Sequence, residues 1–164
     1  EAHLLENEKR ARTLRDESPV EWREILAISS GCIGYALELL DSKKRKSVLE
    51  GRRNAERMIS LLRSSDIAAA FETISALGTK RAEVLTSLSS LQQALRDLIV
   101  LKKCDSAPLC FFADPEKAAE QATYFTAPAL FSLYDACVSA IDELERNANV
   151  SLLLTDLRDL FKSS

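Results

Sequence analysis

Few residues in this sequence have the types and spacing to carry chemistry. Two glycines stand three apart in "SSGCIGYALELL", residues 29–40, directly ahead of a run with helical character. A glycine turn opening a helix can cradle phosphate, because the first helical N–H groups lack partners and sit at the positive end of the helix dipole. This stretch has neither the length nor the lysine of a GxxxxGK[ST] loop, and no strand precedes it as a dinucleotide fingerprint requires. Read as a helix cap with a close helix–helix approach, the turn needs no ligand.

The other reactive groups are scattered. Cys32, Cys104, Cys110 and Cys137 fall at spacings that fit no zinc pattern, and the only histidine, His3, lies at the beginning of the chain. The cysteines read as buried or half-buried thiols acting as small hydrophobes. A disulfide between Cys104 and Cys110 is geometrically allowed, but nothing else points to an oxidising compartment. There is no GxSxG elbow and no HExxH pattern. The Asp and Glu residues fall where helical faces meet water, with no pair singled out for acid–base work. The expectation is therefore no catalytic, cofactor-binding or metal-binding residue in this stretch, and no enzyme activity of its own.

Charge is segregated. The formal net charge is -3, yet residues 43–63 carry eight Lys or Arg against two Glu. Arg52, Arg53 and Arg57 form a candidate basic patch for nucleic acid or an acidic partner. A solvated helix face is the alternative, favoured because no aromatic residue interleaves with these cations to stack on bases.

The elements that must position these residues are helices. Aromatics make up 6% of 164 residues, and glycine and proline number four each, which favours continuous helices over a turn-rich β-sandwich. The fold class expected is all-α, a helical bundle. No apolar stretch reaches the length of a membrane span, and the charged first residues do not resemble a signal peptide, so the reading is a cytoplasmic protein with no membrane partner. Residues 1–15 fit a surface helix or a frayed end. Ser18, Pro19 and Glu21 predict a helix start with a capping box, running to about residue 29, where Gly31 ends it. Apolar spacing of three and four predicts further helices over 44–62, 67–77, 80–103, 116–123 and 128–146, and a last one over 150–161 capped by Asn149.

Three stretches carry a resemblance. "EILAISSGCIGYALELLD" resembles the end of the lid subdomain of AAA+ clamp-loader subunits, the region called sensor 2. "LRDLIVLKK" is similar to their long collar helix, and "AIDELERNANVSLLLTDLRDLF" to the last two collar helices of the delta-prime type in bacterial DNA polymerase III. The resemblance implies a C-terminal fragment, with residues 1–42 the end of the lid and 43–164 the collar, and an ATP-binding module in front. Gly31, Gly34, Ala36 and Leu37 would form the sensor 2-like turn. Gly34 or Tyr35 stands where ATP-hydrolysing relatives carry an arginine, which fits a delta-prime rather than a gamma/tau subunit. The implied function is structural: a collar that assembles a heteropentamer loading the sliding clamp on primed DNA. The parent would belong to a DNA-directed DNA polymerase holoenzyme, a nucleotidyltransferase. Implied partners are delta and gamma/tau subunits, with clamp and DNA met only through the whole complex. Leu98, Ile99, Leu101, Leu153, Leu157 and Leu160 are the candidate subunit-interface residues. A gamma/tau collar and an unrelated helical scaffold or adaptor are the alternatives.

Overall fold

Helices begin in this chain where a side chain can take up the first unpaired amides, and the computed structural model shows which ones do so. It describes residues 1–29, 31–63, 72, 74–75, 77–104 and 108–161. These are mostly helical, with no strand among them. In order, the elements are α1 (Ala2–Asn7), α2 (Lys9–Glu17), α3 (Pro19–Ser29), α4 (Ile33–Leu39), α5 (Ser42–Leu62), α6 (Arg81–Leu101), α7 (Pro115–Thr123), α8 (Ala127–Glu145) and α9 (Val150–Phe161). The helix expected over 67–77 lies mostly outside the described residues.

Several helices start on a side-chain cap, and of those expected Asn149 is one. Asp41 Oδ1 accepts from the amides of Lys43 and Lys44, each at 2.9 Å, to start α5. Asp114 does the same for α7, Thr126 for α8 and Asn149 for α9. The amide of Lys44 holds the Asp41 carboxyl below its usual range, and the Lys80 side chain does so for Glu83 in the first turn of α6. Each contributes stability that is complete above the ordinary carboxylate range and fades as pH falls through it. Glu21 departs from expectation: its carboxylate meets Arg45 Nη2 at 2.7 Å.

The chain forms two compact units, Glu1–Leu49 and Glu50–Ser164. The division lies inside α5, seven residues beyond the one read from the sequence, because Val48 and Leu49 pack with the first unit. That unit has its own core of Leu4, Ala11, Trp22, Ile25, Ile28, Ala36 and Leu39. Residues 1–17 thus form two helices whose Leu4 and Ala11 are buried, rather than a frayed end. Trp22 Nε1 donates to Glu1 Oε1, and Arg45 Nη1 donates to the Leu39 carbonyl at the end of α4.

The second unit is built around α6. One side of that helix packs Val84, Leu88, Leu91, Leu95 and Leu98 into a core shared with Leu130, Leu133, Cys137 and Leu144 of α8. The other side carries Ser87, Ser90 and Asp97, all buried. There α5 comes close enough that a Cβ on Gly51 would lie 2.7 Å from Thr86 Cγ2 and 3.0 Å from the Thr86 carbonyl oxygen. Asn54 Nδ2 donates to Ser87 Oγ across the same contact.

Asp97 fixes the connection that leaves α6. Its carboxylate is fully buried and accepts from three consecutive amides, Cys110, Phe111 and Phe112, at 2.9, 2.7 and 3.2 Å on Oδ2, and from Arg96 Nη1 at 2.9 Å on Oδ1. That hydrogen bond raises the affinity of the Arg96 guanidinium for its proton. Held in this way, Phe111 enters the core at 3% exposure. Arg52 then lies 4.3 Å over its ring and donates to its carbonyl. At the far end of the unit, Arg81 donates to the carbonyls of Leu144 and Ala148, where α8 turns into α9 through Asn147 at φ +66°. A guanidinium thereby ties the last turn of α8 to the residue before the cap of α9.

Asp97→Ala strips acceptors from buried amides and is expected to lower the unfolding free energy by about 3–5 kcal/mol in urea denaturation. Asp97→Asn should rescue part of that, since its carbonyl oxygen can stand in for Oδ2 before the three amides while its NH2 faces the Arg96 guanidinium. Gly51→Ala sets a helix-propensity gain of about 1 kcal/mol against overpacking worth about 1–3 kcal/mol, so a net loss of stability is expected in the same assay.

Candidate functional site

The glycine turn at residues 31–34 is built as a helix break. Gly31 has φ +85°, a left-handed conformation that ends α3 without strain, and Cys32 leads into α4. A Cβ at Gly34 would meet nothing within 4 Å, so no close approach depends on that glycine. Ala36 is buried in the first unit's core, while Leu37 is 42% exposed, with Ile33 one turn before it at 45%.

The candidate interface residues divide. Leu98 is fully buried within the second unit's own core, and Leu153 and Leu157 face inward at 4% and 3% exposure. Ile99 and Leu101 are half-buried at the edge of that core. The side chain of Leu160 lies outside the described residues. Periodicity misses other apolar side chains that reach solvent: Tyr124, Phe131 and Leu152, the last at 68% exposure.

The basic segment is not a single patch. Arg52 is turned inward onto Phe111, and Arg45 is drawn into the pair with Glu21. Arg63 stacks 3.4 Å over the ring of Tyr124. Arg53 is exposed, and Arg57, one turn further along α5, pairs loosely with Glu72 at 3.4 Å. An exposed pair of this kind contributes little.

The cysteines also differ from expectation. All four are unbridged, and Cys32 and Cys104 are exposed rather than buried. Cys137 is buried among apolar neighbours, and desolvation pushes its thiol up to about 12, so it stays protonated and unreactive at neutral pH. No cluster of His, Cys, Asp and Glu able to hold a metal occurs among the described residues, and no single helix there is long and apolar enough to cross a membrane.

A groove of about 490 Å³ lies in the second unit between α8 and α9. Ala136, Ala140, Leu153 and Leu157 form its floor. Small residues on α8 keep that floor low, and the helical period puts Ser132, Asp135, Ser139 and Glu143 along its edge. No convergent set of reactive groups lines it.

Arg52→Ala is expected to cost about 1–3 kcal/mol in thermal or urea unfolding, from the lost ring contact and carbonyl hydrogen bond. The double change Arg53→Glu, Arg57→Glu should stay within about 0.5 kcal/mol of the parent. Searches against protein-family models, curated proteins and solved structures match nothing to this chain.

Proposed function

We propose that this chain is the C-terminal part of a clamp-loader subunit of the delta-prime type, and that its second unit acts as a collar holding neighbouring subunits together. The observation that carries an assembly role is the placement of apolar side chains on the second unit. Its core is filled from within, yet Ile99 and Leu101 stay half-buried at the edge and Phe131 and Leu152 stand exposed. Apolar surface left on a rigid helical scaffold gains about 25 cal/mol per Å² when a partner covers it, less the cost of association.

The family assignment rests on the resemblance of residues 24–41, 95–103 and 140–161 to lid and collar helices. Gly34 and Tyr35, where hydrolysing subunits carry an arginine, support the type that does not turn over ATP. In this reading the nucleotide-binding module precedes the lid, and the fragment contributes geometry to clamp loading without a reaction of its own.

The test is co-elution. Mixed with purified delta and gamma/tau subunits, the chain should run with them in size-exclusion chromatography. Ile99→Glu with Leu101→Glu should weaken that association by tenfold or more, on the order of 1.4 kcal/mol, with the helical circular dichroism spectrum retained. No co-elution at micromolar concentration would leave the unrelated helical scaffold as the better reading.

A further inference from the structure

The groove between α8 and α9 carries a charge pattern that the collar reading does not use. Asp135, Glu143 and Asp156 rim it, and no lysine or arginine lines it. All three carboxylates are exposed, and none forms an ion pair among the described residues. Phe131 lies one turn before Asp135 on α8, and Leu152 one turn before Asp156 on α9, so each helix presents an exposed apolar side chain beside a rim carboxylate.

We propose that this groove docks an amphipathic helix of a partner protein, with aliphatic residues on one face flanked by lysine or arginine. The occupant is a helix because an extended segment would lay unpaired N–H and C=O groups over an apolar floor, whereas a helix satisfies its own backbone. A floor of two alanines between two helices lets a third pack at the usual 8–10 Å separation. From Phe131 to Glu143 the edge runs about 18 Å at 1.5 Å per residue, which sets the occupant at three to four turns. The rim's charge selects a basic helix and repels nucleic acid and acidic peptides.

A second copy of this chain fits poorly. Among the described residues its one exposed apolar pair at helical spacing is Ile33 and Leu37, and Glu38 and Asp41 lie beside that pair. The inference shares exposed Phe131 and Leu152 with the collar reading and adds the carboxylate rim of the groove, which that reading does not use.

The test uses a fluorescent helical peptide of about 14 residues with leucine on one face and lysine on its flanks, and an isomer with glutamate in place of lysine. Fluorescence anisotropy should show one-to-one binding of the lysine peptide. Asp135→Lys with Asp156→Lys should weaken it about tenfold or more, and Glu56→Lys with Glu120→Lys, far from the groove in sequence, less than about twofold. Leu152→Glu should weaken it as well, with circular dichroism confirming that each variant is folded. Equal binding of the glutamate peptide, equal loss with the Glu56 and Glu120 changes, or no binding of the lysine peptide overturns the proposal. Self-association in analytical ultracentrifugation that Leu152→Glu abolishes also overturns it, by assigning the groove to a second copy.

Discussion

A single buried charge organises the larger unit. Taking a carboxylate out of water costs several kcal/mol, and Asp97 offsets that cost through the donors that meet both its oxygens. Three amides in sequence and one guanidinium make four charge-assisted contacts, roughly twice as strong as neutral hydrogen bonds. The result is a loop locked to a helix. With residues 110–112 fixed, Phe111 has one place to go, and Arg52 closes over it from α5. The contacts of α5, α6 and the connection to α7 therefore share one anchor.

The features legible in the sequence were local. Proline and the Asx or hydroxyl caps sit next to the helices they start, so Pro19, Asn149 and the ends of α5, α7 and α8 fall within a few residues of expectation. Periodicity also identified the buried stripe of α6, since the repeat of three and four is a property of the helix itself. Asp97 was illegible because in "LRDLIVLKK" it occupies what reads as a solvent position, and its partners lie in an irregular stretch further on. Arg52 and Arg81 failed in the same way. A cation on a helix carries no local mark of whether water or a distant carbonyl will receive it.

The candidate surfaces were harder still to read. Periodicity says that a leucine faces inward but not which neighbour it meets. Leu98, Leu153 and Leu157 are therefore core residues of the chain's own unit, while Phe131 and Leu152, one turn or less from buried positions, are the ones that reach water. The exposure of Cys32 follows the same logic, because it lies in the break between α3 and α4, where no helix covers it. A groove depends on the crossing of two helices, and the Arg81 clasp on the α8–α9 corner, a contact distant in sequence, helps to set that crossing.

That clasp joins residues 67 apart in sequence, whereas Asp97 reaches its amides over 13 to 15. Closing a longer loop costs more chain entropy, though only logarithmically, so the short-range anchor is the cheaper contact to form first. By that argument the Arg81 contact, which needs the start of α6 in place, is expected to complete after the Asp97 anchor.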